Sequence, residues 1–214
     1  MNIRTLTLAV AFLTATISLF AQKEEWGISF YLKSSANYNY KFKLNSTLSN
    51  IGYKKIPNIF TFGLIGISYD IKKKVEIAFE GGVGGMGYGK KTRIINSMLN
   101  LSGGYILTLP KENRLIFAGN FALDEYNVYA YKEKGNLDFQ NSVLTNSDMF
   151  HLQMYQFMVG PKITWRNEIF HIGIGYDFGV VPTRWKSDNL EISNSPKERI
   201  DRVYLSLAFN IVRY

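Results

Sequence analysis

Val203-Tyr204-Leu205-Ser206-Leu207-Ala208-Phe209-Asn210-Ile211 is the stretch that decides the fold. Its odd positions are large and apolar. Its even positions, Tyr204 apart, are small or polar. A period of two belongs to a strand with two unlike faces. The segment before it repeats the pattern: Phe170, Ile172, Ile174, Tyr176 and Phe178 alternate with His171, Gly173, Gly175, Asp177 and Gly179.

The same alternation runs back through the chain. Tyr155, Phe157, Val159, Ile163 and Trp165 oppose Gln156, Met158, Gly160, Lys162 and Thr164. Leu115, Phe117, Phe121 and Leu123 oppose Ala118, Asn120, Ala122 and Asp124. Leu99, Leu101, Tyr105, Leu107 and Leu109 oppose Asn100, Ser102, Gly104 and Thr108. Val75, Ile77, Phe79 and Val83 oppose Glu76, Ala78, Glu80, Gly82 and Gly84, and Trp26, Ile28, Phe30 and Leu32 oppose Gly27, Ser29, Tyr31 and Lys33. Residues 59–69 read as a strand but are apolar on both faces, so a bulge that switches their phase is expected there.

These segments make eight strands. Short connections are predicted at 70–74, 110–114 and 166–167, and long polar ones at 34–58, 88–96, 127–148 and 182–199. Alternating tight turns and long loops between an even number of strands is the rhythm of a transmembrane barrel. The alternative, a soluble barrel, keeps its bulky residues inside. An eight-stranded barrel has room only for its own side chains. Leu, Ile, Val and Phe therefore suit lipid, and Gly, Ala, Ser and Asn suit the lumen. Trp26, Tyr69, Trp165 and Tyr214 all fall at strand ends on the short-turn side, where an aromatic girdle belongs. The expected fold is an all-β, eight-stranded, antiparallel up-and-down transmembrane barrel spanning residues 22–214.

Residues 1–21 read as a cleavable helical signal peptide: Arg4, then the uncharged run Thr5 to Phe20, then Ala21 before Gln22. The apolar run is short for a retained membrane helix, and no charge cluster follows it at once. The mature protein is expected to begin at or near Gln22. N-terminal sequencing of protein from the membrane fraction checks this, and recovery of intact Met1 would overturn it.

Composition narrows the chemistry. The chain has no cysteine, which removes disulfides, thiolate metal sites, cysteine nucleophiles and a lipidated N-terminal Cys. The net charge is +8, or +7 once Arg4 leaves with the signal. An exported protein meets anionic lipid and lipopolysaccharide rather than nucleic acid, so those are the expected counterparts, with solvated loop lysines as the alternative reading of the charge.

The layout resembles the small outer-membrane barrels of the OmpX and OmpA-membrane-domain type. It also resembles the PorT-like outer-membrane β-barrel domain proteins, whose leaders end near Phe-Ala-Gln, here Phe20-Ala21-Gln22. The resemblance covers residues 22–214 and rests on architecture. It implies the bacterial outer membrane, both termini in the periplasm, and recognition of the last strand by the barrel-assembly machinery during insertion. Tyr214 departs from the pattern, being out of phase with the Phe209–Ile211 face.

No catalytic, cofactor or metal site is expected. Gly82-Val83-Gly84-Gly85-Met86-Gly87 matches a dinucleotide fingerprint, but no helix or acidic residue follows where one is needed. Lys91 stands where a phosphate loop needs Ser or Thr. His151 and His171 lie roughly ten strand residues apart in level, too far to share a metal at ~3.3 Å per residue. This reading takes residues 166–167 as a tight turn, which puts Trp165 opposite Glu168 and Lys162 opposite His171. A barrel hydrolase or acyltransferase would need Ser, His and an acid at one level.

The distinctive polar group is a set of lumen charges. Glu76, Glu80, Arg114 and Lys162 are expected to point inward in the turn-side half. There they must pair, because the interior is narrow and poorly solvated. A plug is the expected role, and a gate is the alternative. Loop 34–58 mixes Tyr38, Tyr40 and Tyr53 with Lys41, Lys43, Lys54 and Lys55, a combination suited to anionic glycan or phosphate. The function classes left open are a structural or surface-interaction barrel, an accessory to secretion or envelope assembly with an envelope protein as partner, and a minor channel. A lipid-modifying enzyme ranks behind these.

Overall fold

The computed structural model describes residues 26–88, 92–131, 137–138, 143–144 and 149–213. Eight long strands form one closed antiparallel barrel. They are β1 (Trp26–Asn39), β2 (Ile59–Ile71), β3 (Val75–Tyr88), β4 (Thr92–Thr108), β5 (Arg114–Tyr131), β6 (Met149–Arg166), β7 (Phe170–Gly179) and β8 (Arg202–Arg213). Each pairs with its sequence neighbours, and β8 pairs with β1 to close the ring. Closure leaves no unpaired edge, which lipid would penalise heavily.

The faces divide as the alternation requires. On β8, Leu205, Leu207 and Phe209 are exposed, while Tyr204, Ser206 and Ala208 are buried. Ile65 and Val83 are 66% and 62% exposed, more than large apolar side chains tolerate over a whole surface in water. On β6 the outward series runs from Tyr155 to Trp165. That is about 33 Å along the strand, or roughly 25 Å of height at a ~40° tilt, the thickness of an outer-membrane apolar band. Tyr69 and Trp165 stand on the outer face at the short-turn end, and Trp165 meets Phe170 at 5.3 Å. The side chain of Trp26, Tyr214 as a whole, and residues 1–21 lie outside the described residues.

Several expectations need correction. Residues 59–69 contain no bulge: β2 alternates without a break, with Phe60, Phe62 and Leu64 inside. Both its faces are apolar because the loop-side lumen is apolar too. The β6–β7 connection is Asn167 to Ile169 rather than two residues. Arg166 therefore pairs with His171, and Lys162 with Gly175. The shift of four residues leaves every side chain on its expected face. The strands also run further than their alternation suggested. β1 continues to Asn39, and β3 and β4 pair as far as Tyr88 and Thr92, so most of the expected loop 88–96 is hairpin.

A bulge does occur in β8. Phe30 pairs with Val212 and Tyr31 with Asn210, so Ile211 is the extra residue. Beyond it Val212, paired with outward Phe30, takes the outer face, so the phase of the strand switches there. The glycine run also has a structural reason. A Cβ on Gly82 would lie 2.1 Å from the Gly63 carbonyl oxygen, so its absence lets β2 and β3 approach. Gly82 to Gly87 lie inside β3, not at the mouth of a helix.

Candidate functional site

The lumen holds two unlike halves. From the short turns upward, three tiers of charge come first. In the lowest, Asp70 of β2 accepts hydrogen bonds from Arg114 of β5 and, at 2.6 Å, from Arg166 of β6. Arg166 also donates to Glu76 of β3 and, at 3.3 Å, to Ser68. Asp70 and Glu76 sit directly opposite each other across β2 and β3. Two carboxylates so placed repel, and the Arg166 guanidinium joins them.

Glu80 centres the middle tier. It accepts from Lys33 at 2.7 Å, Tyr31 at 2.9 Å, Lys162 at 3.3 Å and Asn100 at 3.3 Å. In the upper tier Arg202 of β8 joins two carboxylates. It reaches Asp177 at 2.7 Å and Asp124 at 2.5 Å. Asn120 donates to both Asp177 oxygens, and Tyr126 donates to Asp124. The Tyr204 ring lies between these tiers, with Lys33 at 5.9 Å and Arg202 at 5.6 Å from its centre. The ion pairs of the three tiers use five cations and five carboxylates, so the charge within the tiers balances.

Of the four lumen charges expected from the sequence, only Glu80 and Lys162 meet directly. Glu76 goes to Arg166 and Arg114 goes to Asp70, two residues at strand ends that sequence reading placed in turns. Lys33, Asp124 and Asp177 were legible as inward-facing, and Arg202 shares the parity of Tyr204. The signal that finds them all is any charge on the small-residue face.

Above the charges the lumen is greasy. Loop 1, residues 40–58, folds into the mouth and carries helix α1 (Leu44–Asn50). Phe42 is fully buried and meets Phe60 at 6.2 Å and Tyr126 at 5.8 Å, edge to face. Leu44, Leu48 and Ile56 of the same loop join that cluster, as do Ile94, Leu152 and Trp185. Polar bonds fix the loop. Buried Glu198 accepts from the Lys43 and Leu44 amides and from the Trp185 indole, and Asn45 exchanges two hydrogen bonds with the Ile56 backbone. Tyr53 packs on Phe150 at 4.8 Å, while Tyr38 and Tyr40 stay outside.

At the loop-side rim, His151 stacks on Tyr129 at 4.5 Å and contacts Asn127 at 2.9 Å. Asp188 is 3.9 Å from its other ring nitrogen. Ser187 is adjacent, but its hydroxyl donates to the His151 carbonyl oxygen and not to the ring. His, Ser and acid therefore share a level without the nucleophile-to-base hydrogen bond that acyl transfer needs. His171, opposite Arg166, lies at the other end.

Two features now stand together: a closed eight-stranded ring, and an outer face as apolar as lipid. The chain has the fold of a small outer-membrane β-barrel. Solved structures similar to it include the attachment invasion locus protein Ail of Yersinia pestis, at 10% identity and a TM-score of 0.45, covering 89% of this chain and 99% of that one. Neisserial surface protein A is similar at 11% identity and 0.47, covering 86% and 99%. The outer membrane protease OmpT of Escherichia coli is similar at 11% and 0.37, covering 89% and 98%. No family model matches the chain, and no curated protein is similar to it in sequence.

Proposed function

We propose that this protein is a closed, non-conducting barrel of the bacterial outer membrane, with a structural or surface-interaction role carried by its loops. The short turns and both termini are taken as periplasmic and the long loops as external. One observation carries the reading: balanced charge tiers cross the lower lumen, and an apolar cluster packs in series above them. A gate made of the charges alone would still open onto Phe42, Phe60 and Tyr126. Rotating a salt bridge therefore does not make a path. The bulge at Ile211, which brings Val212 to the outer face, supports the use of β8 as a recognition segment for the assembly machinery.

Planar-bilayer recording tests this. Wild-type protein is expected to show no steady conductance, and so is the charge variant Lys162→Met. The plug variant Phe42→Ala/Phe60→Ala is also expected to stay silent, because the charge tiers remain beneath it. Steady conductance of the wild type, or of Lys162→Met alone, would overturn the double closure and favour a channel.

A further inference from the structure

The outer face of β1, β2 and β8 carries a feature that neither lumen nor loops explain. Most of the barrel's outer face is bulky. Across β1 and β2, however, Ala36 lies opposite Thr61 and Ser34 opposite Gly63. Ser34 and Gly63 give a floor without bulk. Leu207 flanks Ser34 from β8, and Leu32, Ile65 and Phe209 rise below it. The result is a groove of about 320 Å³. Glycine weakens a strand unless a turn or a close approach requires it. Here neither does: a Cβ on Gly63 would meet nothing within 4 Å, and its φ is ordinary. What the glycine preserves is the empty volume outside it.

A second concavity lies further along the same two strands, beyond the small Ala36–Thr61 pair. Four residues along the same two strands, at the Tyr38–Ile59 pair, begins a cleft of about 770 Å³ under loop 1. Lys41 and Lys55 stand over it, both exposed, and Ser46, Ser49 and Asn50 of α1 line one wall. Among the described residues no carboxylate lines it. Tyr38 packs on Tyr40 at 5.7 Å, and Tyr40 on Tyr176 at 6.4 Å. All three rings are exposed, which marks this as the headgroup level on the loop side. Four strand residues are about 13 Å. A basic polar cleft at the headgroup level thus lies one short step above an apolar groove on the same pair of strands.

We propose that this track binds one molecule of a phosphorylated, acylated glycolipid of the outer leaflet. Its anionic sugar head fills the cleft and one acyl chain fills the groove. Lys41 and Lys55 meet phosphate. The hydroxyl and amide side chains of α1 meet sugar hydroxyls. The cleft has the size of a small-ligand site rather than of a single phosphate. The proposal rests on the orientation proposed above, with loop 1 outside.

The test titrates full-length mature barrel in detergent micelles with bisphosphorylated lipid A, read by native mass spectrometry. One equivalent is expected to bind the wild type. Lys41→Ala/Lys55→Ala is expected to bind roughly tenfold more weakly or worse. Gly63→Leu, which fills the groove without touching the loop, is expected to weaken binding as well. Heat-modifiable gel mobility confirms that each variant has folded. Lys72→Ala/Lys73→Ala, at the opposite end, is expected to bind as wild type. Undiminished affinity in the lysine and groove variants would overturn the site. Equal binding of phosphatidylglycerol would overturn the glycolipid. The chain has no native cysteine, so Ser46→Cys can be labelled alone with an impermeant maleimide on intact cells. Absence of labelling with micelle binding intact would overturn the orientation and leave the site standing.

Discussion

Arg202→Leu is expected to lower the unfolding free energy by about 3–5 kcal/mol, the usual cost of removing one partner from a buried charge pair. Arg202 is fully buried between Asp124 and Asp177, both with no exposed side-chain surface. Without the guanidinium, two carboxylates face each other with only Asn120 and Tyr126 as donors. The combined variant Arg202→Leu/Asp124→Leu/Asp177→Leu should recover much of the loss, because an apolar set of similar volume often replaces a buried ion group without cost. Urea unfolding in lipid vesicles, run on the single and combined variants, measures both. A single variant as stable as wild type would mean that water enters the tier and screens it. Lys162→Met is expected to cost less, since Glu80 keeps Lys33, Tyr31 and Asn100.

Leu207→Arg is expected to cost about 2–4 kcal/mol, the penalty for a cation facing lipid near the bilayer midplane of a barrel. Leu207 lies mid-strand on β8 with its side chain outward, opposite Ser34 and Ile172. Its neighbour Ser206 is buried and donates to the Gly173 carbonyl oxygen at 3.3 Å. Arginine there meets a filled lumen rather than lipid, so Ser206→Arg probes packing and not membrane depth. Refolding titrations into vesicles separate the two. A harmless Leu207→Arg would overturn the outward assignment of this face.

These two substitutions also mark how far the sequence could be read. Leu207 was legible outright. A strand with period two has only two faces, and bulky side chains do not fit inside an eight-stranded ring. Arg202 was not singled out. It precedes the alternating run, and its partners lie 25 and 78 residues away. Parity places a charge inside the barrel. Which carboxylate it meets depends on register and stagger around the ring. The same reason explains Glu76 and Arg114, whose partners Arg166 and Asp70 come from strand ends taken as turns.

Alternation, turn chemistry and the bulk of one face were thus enough for the sequence alone to determine strand number, strand order and, outside β2 and the end of β8, the face that residues take. These are local properties, set by the pleat and by the mismatch of large side chains with a narrow lumen. Tertiary structure alone decided what packs inside the barrel. The sequence calls for a bulge in β2 because periodicity alone gives Phe60, Phe62 and Leu64 no reason to face inward. Their reason is Phe42 and Leu48, carried back into the barrel mouth by loop 1. A loop's return path follows from the burial of its side chains against residues distant in sequence, and periodicity carries no record of that.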